Sequence, residues 1–282
     1  AWFNNAYSLS DYTVLIQAAD LGGVILISLL ILVINVVLYA VLIKKRTKAL
    51  FYIVGIFILW IGYGIYCLHS LPMQKQDPKI TVMQPSIPQE EKWDEEAYQQ
   101  ILHRYEALCA QAAKDSTKLI IFPEAAMPVY LMYDSFAKFY LRELMLKYNL
   151  EIFTGFPHFT LAPENHLNDE LYYNAAALFK PDGSVSELYY KNILVPVGER
   201  MLWLQFFPFL WKLQFGQANW EFGNGPAYFQ TGGLEFSPSI CYELAFAEFH
   251  QKMAIRKDKD TGNYKKADFL VNITNDAWFG TS

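Results

Sequence analysis

Two long apolar stretches stand at the start of the chain. Residues 22–43 are almost wholly apolar, with Ser28 and Asn35 as the clearly polar side chains, and residues 49–71 form a second such stretch. Because an α-helix rises about 1.5 Å per residue, about 20 apolar residues cross a hydrocarbon core of roughly 30 Å. The pattern therefore predicts two transmembrane helices, at about 22–43 and 49–71, within a membrane region of residues 1–71.

The loop between the two stretches, Lys-Lys-Arg-Thr-Lys at residues 44–48, carries four cations. Short loops rich in Lys and Arg stay on the cytoplasmic side, so residues 72–282 are predicted to be extracytoplasmic. A signal peptide would be a single, shorter stretch. A pair of buried core helices in a soluble protein is the alternative, but two uncharged stretches around such a loop favour the membrane. The chain begins without Met and stops after an apparent strand, so we expect an internal, C-terminally incomplete segment of a longer protein.

Past residue 71, short apolar runs suited to strands alternate with runs of helical periodicity. The predicted strands are residues 79–84, 119–122, 151–156, 173–179, 184–190, 234–240 and 268–273. The predicted helices are residues 90–114, a helix capped by Asp134 and ending at Tyr148, and residues 245–256. Pro-Asp-Gly at residues 181–183 predicts a turn joining two antiparallel strands. This order indicates one layered α/β domain with a mixed sheet.

Composition excludes several classes of function. The net charge is −5, and no basic stripe follows residues 44–48, which argues against nucleic acid as a partner. Three cysteines do not make a disulfide framework. Cys67 and Cys109 are expected to be packed apolar residues, whereas Cys241 would be a free thiol in a compartment that can be oxidising. There is no phosphate-binding glycine loop and no metal-ligand spacing, so we predict no metal and no cofactor.

Three chemically different groups each follow a predicted strand. Glu124 comes after Phe-Pro, Lys191 ends the predicted hairpin, and Cys241 directly follows the strand at residues 234–240. A cysteine nucleophile needs a base for its proton and a cation or N–H groups for the oxyanion. Taken singly, these residues could be a solvated carboxylate, a hairpin-end lysine and a buried structural cysteine. Their co-occurrence at strand ends in one domain favours a catalytic site.

The motifs around these residues resemble those of a known family. Phe-Pro-Glu at 122–124, Tyr-Lys-Asn-Ile-Leu-Val-Pro-Val-Gly-Glu at 190–199 and Ile-Cys-Tyr-Glu at 240–243 resemble the Glu-Lys-Cys signatures of the nitrilase superfamily. With the apolar helices and the phrases at 84–93 and 272–280, the chain is similar to the apolipoprotein N-acyltransferases of bacterial inner membranes. Pro-Ser at 85–86 departs from the Gly-Asn expected there.

The resemblance implies a fold and an activity. It implies a nitrilase-like αββα sandwich on the periplasmic side of the inner membrane, preceded by transmembrane helices of a multi-pass protein. Cys241 would attack an acyl ester of a phospholipid, with Glu124 as base and Lys191 holding the oxyanion. The thioester would then acylate the N-terminal amine of a diacylglyceryl-modified apolipoprotein. Further positions match supporting or substrate-binding residues of the family: Glu199, Tyr242, Glu243 and Trp93.

An aromatic stretch, residues 201–215, follows the lysine motif with few charges. Beside a bilayer, its side chains could enter the headgroup region or guide acyl chains, and we predict that Trp203, Phe207 and Trp211 bind lipid. The alternative is a loop packed into the core of its own domain. As a whole-protein alternative, a membrane-tethered nitrilase-type amidase or hydrolase would use the same triad. A non-catalytic membrane protein would leave the three coincident groups unexplained.

Overall fold

The computed structural model describes residues 4–70, 78–88, 91, 95–164, 168–201, 203, 206–207, 219–258 and 261–275. The chain divides into two compact units, Ala1–Lys75 and Gln76–Ser282. The first unit contains a short 3₁₀ helix, Asn5–Leu9, and the helices α1 (Thr13–Ile16), α2 (Ala19–Leu42) and α3 (Leu50–Ser70).

Helices α2 and α3 are long and apolar enough to cross a membrane. Their mean hydropathies are 3.0 and 2.0, and only 6% and 17% of their most apolar stretches are buried within the structure. Core helices of a soluble protein would be mostly buried, so this exposure argues against that alternative. The two helices overlap the apolar stretches at residues 22–43 and 49–71.

A small core holds the first unit together. Helix α2 is broken at Gly22 and Gly23, and Gly23 has a φ of 64° that glycine adopts without strain. The indole Nε1 of Trp60 donates to the carbonyl of Leu15 at 2.7 Å. Gly64 of α3 lies so close to α1 that a Cβ at this position would be 2.0 Å from the carbonyl oxygen of Val14. These contacts join α1 to α3.

The second unit is built on a five-stranded mixed sheet in the order β1-β2-β3-β4-β5. Its strands are β1 (Lys79–Val82), β2 (Thr117–Ile121), β3 (Glu151–Leu161), β4 (Glu170–Phe179) and β5 (Tyr189–Tyr190). The first three strands are parallel, and the β3–β4 and β4–β5 pairs are antiparallel. Consequently β2, β3 and β5 all run in one direction, and their carboxyl ends lie at one edge of the sheet.

A second sheet has the order β10-β7-β6, with β6 (Phe229–Thr231), β7 (Leu234–Ile240) and β10 (Phe269–Ile273). Strands β7 and β10 are parallel, whereas β6 and β7 form a hairpin. Its turn is Gly232-Gly233, with φ values of 52° and 85°. Positive φ at both central residues is what a two-residue turn of this type needs. A separate two-stranded ribbon pairs β8 (Ile255–Lys257) with β9 (Tyr264–Lys266).

The two sheets pack face to face. Phe153 of β3 lies 5.4 Å and 5.3 Å, between ring centroids, from Phe229 and Phe236 of the second sheet. The opposite face of the five-stranded sheet is covered by α4 (Glu95–Lys114) and α5 (Ser135–Tyr148), which share a buried core with it. Helix α6 (Ala247–Ala254) contacts β7 and β10. The predicted layered α/β domain with a mixed sheet is confirmed.

Local signals explain several boundaries. Asp134 caps α5, since its Oδ1 accepts from the backbone N–H of Ala137 at 2.8 Å, as predicted. Strand β3 continues five residues beyond the predicted end at 156, through Pro157. Pro157 pairs with Asn174, whose carbonyl accepts from Lys191, so the missing N–H of the proline faces away from β4. Strand β2 does not extend that far, so no ladder bond is lost.

The strand predicted at 184–190 and the helix predicted at 245–256 were both wrong in extent. Of the strand predicted at 184–190, only Tyr189–Tyr190 forms one. The hydroxyl of Ser186 accepts a hydrogen bond from the backbone N–H of Leu178 at 2.9 Å. This bond replaces a backbone hydrogen bond of the β-ladder. The helix predicted at 245–256 divides into a 3₁₀ turn, Cys241–Ala245, and the shorter α6. The extended residue Phe246 separates them, and β8 begins directly after α6.

Candidate active site

The topology brings the predicted triad to one place. Glu124 follows β2 and Lys191 follows β5, so both lie at the edge where the carboxyl ends of those parallel strands meet. Cys241 directly follows β7 of the facing sheet. The thiol of Cys241 interacts electrostatically with both Glu124 and Lys191. The structure therefore places a carboxylate, an ammonium and a thiol within one site.

Glu124 is held in a fixed orientation. It is 7% exposed, and its Oε1 accepts from the Nδ2 of Asn174 at 2.7 Å. Its Oε2 accepts from the backbone N–H of Asn275 at 3.1 Å. The loop that carries Glu124 passes against Gly155 of β3, where a Cβ would lie 3.0 Å from the Cα of Glu124 and 2.9 Å from the next backbone nitrogen. Glycine at 155 thus permits the close approach of the base loop to the sheet.

Lys191 is a fully buried cation between two carboxylates. Its Nζ lies 2.7 Å from Oε1 of Glu199 and 3.6 Å from Oε1 of Glu124, and its side chain is 0% exposed. Burial by itself lowers the pKa of Lys191, but the charges of both glutamates and the hydrogen bond to Glu199 outweigh it and raise that pKa. Lys191 is therefore an ammonium at neutral pH, with N–H donors beyond the one that Glu199 accepts.

Glu199, which sequence resemblance gave as a supporting residue, is the principal partner of this lysine. Its Oε2 accepts from the backbone N–H of Val195 at 2.8 Å, which fixes the side chain from its own loop. Asn174 was not predicted from the sequence. Its amide lies between the two carboxylates, and its carbonyl accepts from the N–H of Lys191 at 2.9 Å. The one available signal was a single amide within the apolar run of β4.

Cys241 has the backbone of a sharp turn. Its φ is 52°, a left-handed conformation that a non-glycine residue rarely adopts, and the residue begins the 3₁₀ turn after β7. Burial first, and then the charge of Glu124, raises the pKa of its thiol; a hydrogen bond with Thr274 and the charge of Lys191 oppose the rise. At neutral pH the resting side chain is thus a thiol, and its reaction requires a base.

The segment after β10 contacts both the nucleophile and the base. Because β10 is parallel to β7, its carboxyl end lies beside Cys241. Asn272 donates through Nδ2 to the hydroxyl of Ser239 at 2.8 Å and to the carbonyl of Cys241 at 3.3 Å. Thr274 bonds the thiol, and Asn275 donates to Glu124. The described residues 272–275 of the motif at 272–280 therefore help to position Cys241 and Glu124.

Glu243, given by the resemblance as a supporting residue, is a buried carboxylate held by several hydrogen bonds. It is 0% exposed and accepts four hydrogen bonds. The donors are the hydroxyl of Tyr189 and the backbone N–H groups of Asn192, Ile193 and Ile240. Burial raises the pKa of Glu243, and these hydrogen bonds oppose the rise. Glu243 thereby ties the segment after Lys191 to the turn that carries Cys241.

Three of the remaining predicted residues, Tyr242, Trp203 and Phe207, are among the described residues. The ring of Tyr242 packs edge-on against Phe246 at 4.9 Å between centroids. Trp203 is half-buried, and its carbonyl accepts from the backbone N–H of Phe207 at 2.7 Å. The side chain of Phe207 is 50% exposed. Trp93 and Trp211 lie outside the described residues, so their predicted substrate-binding roles stay predictions.

A sequence profile of the carbon-nitrogen hydrolase family matches residues 79–282. The chain belongs to the carbon-nitrogen hydrolase family. This membership confirms the resemblance to the nitrilase superfamily and its mixed α/β fold. It also places the motifs at 122–124, 190–199 and 240–243 within the matched region.

The curated relatives are proteins named apolipoprotein N-acyltransferase. The one from Chlorobaculum tepidum is 28% identical over 308 residues, and the one from Rickettsia typhi is 32% identical over 287 residues. Each aligns with 100% of this chain, which covers 56% and 54% of them. The chain thus spans about half the length of the curated relatives it matches. The second likeness, to the apolipoprotein N-acyltransferases, is confirmed at the level of sequence.

Solved structures of the superfamily are also similar to this chain. An amidase from Nesterenkonia AN1 matches with a TM-score of 0.48 and 18% identity, over 70% of this chain and 66% of that chain. XC1258 from Xanthomonas campestris, a CN-hydrolase superfamily protein, matches with a TM-score of 0.41 and 18% identity, over 63% and 59% of the two chains.

Proposed function

We propose that the protein to which this chain belongs is an acyltransferase that moves an acyl chain from a phospholipid to the N-terminal amine of a diacylglyceryl-modified apolipoprotein. The observation that carries the proposal is the convergence of Glu124, Lys191 and Cys241 in one largely buried site. The names of the longer relatives supply the class of acceptor, an apolipoprotein.

In the first step, Glu124 accepts the proton of the Cys241 thiol as sulfur attacks the ester carbonyl of the phospholipid. A C–S bond forms, and the carbonyl oxygen becomes an oxyanion. The free N–H donors of Lys191 stabilise that charge in a site largely closed to water. Collapse breaks the ester C–O bond. The leaving alkoxide takes the proton back from Glu124, which yields a lysophospholipid and a Cys241 thioester.

In the second step, the amine of the acceptor attacks the thioester. Glu124 takes a proton from the attacking amine, a second oxyanion forms beside Lys191, and the C–S bond breaks. The thiolate regains its proton from Glu124, and the product is an amide. The thioester retains the acyl group in activated form, so the transfer needs no nucleotide. In the amidase or hydrolase alternative, water would take the place of this amine.

The membrane placement belongs to the same proposal. Helices α2 and α3 would lie in the bacterial inner membrane, with the cationic loop at residues 44–48 on the cytoplasmic side. The family domain would then face the periplasm, where it would meet phospholipid and lipoprotein in one leaflet.

The test of the proposed function is intact-protein mass spectrometry of the full-length protein in detergent after incubation with phospholipid. We expect a mass gain of one acyl chain that hydroxylamine removes, and no gain in Cys241→Ser. Addition of a diacylglyceryl-cysteine peptide should then discharge the acyl-enzyme and yield the N-acylated peptide. Release of free fatty acid without use of the peptide would favour the hydrolase, and a folded protein without an adduct would exclude phospholipid as donor.

The exposed aromatic residues at 206 and 207 provide a test of lipid access. Phe206 and Phe207 are 76% and 50% exposed. In the double variant Phe206→Ser/Phe207→Ser we expect acylation by phospholipid to fall several-fold more than acylation by a soluble ester, because the loss concerns lipid entry. Tyr264→Ser, at a 79% exposed aromatic residue in β9, is the matched control. Equal losses with both esters would contradict a lipid-contacting role.

A further inference from the structure

One neutral amide joins the charged groups of the site. Asn174 in β4 is 7% exposed. Its Nδ2 donates to Oε1 of Glu124 at 2.7 Å and lies 3.5 Å from Oε1 of Glu199. Its carbonyl accepts from the backbone N–H of Lys191 at 2.9 Å. A single residue therefore contacts the base, the oxyanion cation and the second carboxylate.

The two carboxylates, Glu124 and Glu199, differ in their closest hydrogen-bond donors. The ammonium of Lys191 lies 2.7 Å from Glu199 but 3.6 Å from Glu124. Glu199 is thus the closer counter-ion of Lys191. The Oε1 of Glu124 accepts a hydrogen bond from an uncharged donor, the amide of Asn174. The amide of Asn174 therefore fixes the position of this oxygen through a hydrogen bond and brings no positive charge to it.

We propose that Asn174 is a positioning residue that holds the carboxylate of Glu124 in the orientation needed to accept the proton of Cys241, so that substitutions at Asn174 change the rate and the pH dependence of Cys241 acylation. The inference rests on the proposed function only in taking Cys241 as the acylated nucleophile and Glu124 as its base. The sequence resemblance did not include Asn174 among the site residues.

The surroundings of Glu124 determine the sign of the expected effect. The charged or titratable groups near Glu124 among the described residues include Lys191 and Glu199 from the segment after β5, and Cys241 after β7. Asn174→Asp would add a further carboxylate within hydrogen-bond distance of Glu124. Two such carboxylates cannot both ionise freely, so a proton is retained near the base until a higher pH.

The experiment is the pH profile of Cys241 acylation by p-nitrophenyl butyrate, followed as a burst of p-nitrophenol and verified by peptide mass spectrometry. In Asn174→Asp we expect the acid limb of the pH–rate profile to shift to higher pH by about one unit or more, with the acylation rate recovering at high pH. Asn174→Leu removes only the donor, so it should move the profile in the same direction but less. Asn263→Asp, at an exposed position in the loop between β8 and β9, makes the same charge change and should move nothing.

The outcomes separate this inference from the proposed function. A rate reduced equally at every pH, with the midpoint unchanged in both variants, would show a merely structural role and overturn the inference. If wild-type protein is acylated by p-nitrophenyl butyrate but not by phospholipid, the proposed function fails while Asn174 is still tested. If neither ester acylates Cys241, both proposals are overturned.

Discussion

Glu124→Gln is expected to separate two reactions of the same thiol. Acylation of Cys241 by phospholipid should fall by about 10²–10⁴-fold, the range for loss of a general base. Alkylation of Cys241 by iodoacetamide at neutral pH should stay or become faster. After burial, the charge of Glu124 is the next largest cause that raises the pKa of this thiol, so removing the charge lowers that pKa. A lower pKa means more thiolate, which is the species that alkylation requires.

The measurement uses full-length protein and peptide mass spectrometry, which distinguishes Cys241 from Cys67 and Cys109. Glu187→Gln, at an exposed glutamate just before β5, is the matched control and should change neither reaction. If alkylation falls in parallel with acylation, the carboxylate of Glu124 serves to shape the site rather than to accept the proton. If acylation is retained, the base lies elsewhere.

The groups that carry the chemistry could be located from the sequence because each has a local signature. Glu124 and Cys241 follow strands whose apolar residues are buried, and the residues after each strand show where it ends. Strands β2 and β5 run in the same direction in one sheet, so their ends place Glu124 and Lys191 at one edge. Cys241 follows a strand of the facing sheet, and the packing of the two sheets brings it to this edge. The apolar lengths of α2 and α3 are equally local, since they depend only on composition and length.

What the sequence left open depends on register and on contacts distant in the chain. Asn174 meets Glu124 because the register of β4 against β3 places Asn174 opposite Pro157. This position lies near the end of β2, the strand that precedes Glu124. Nothing in the neighbouring residues specifies that register. Glu243 likewise accepts from backbone groups 50 residues away at Ile193, a contact that only the folded chain creates. Such residues resemble ordinary buried or loop polar residues until the sheets pair.

The hairpin of β6 and β7 has a local signature in the sequence. Gly232-Gly233 between two apolar runs is a typical two-residue turn, and it accounts for β6. The shortening of β5 had none, because one serine hydroxyl replaces a ladder bond. The extent of a short strand depends on such single contacts more than on its own composition.

Lys191→Met is expected both to destabilise the domain at residues 79–282 and to slow the acylation of Cys241 strongly. The substitution keeps an unbranched chain of similar length but leaves Glu124 and Glu199 close together without their cation. Breaking a buried ion pair by removing one partner costs about 3–5 kcal/mol. For a domain of this size we expect the thermal midpoint to fall by about 10 °C. Loss of the oxyanion donor should reduce acylation by a further 10²–10³-fold, roughly the effect of removing one such donor.

A second variant separates the two effects. Lys191→Met/Glu199→Gln removes a carboxylate together with the ammonium, so like-charge repulsion at the site falls and much of the lost thermal stability should return. Acylation of Cys241 should remain as low as in the single variant, because no cation has been restored beside the oxyanion. The thermal midpoint and the burst of p-nitrophenol from p-nitrophenyl butyrate are measured on the same samples. If the double variant regains acylation along with stability, Lys191 acts only as the counter-ion of Glu199, and the backbone N–H groups near Cys241 must hold the oxyanion alone.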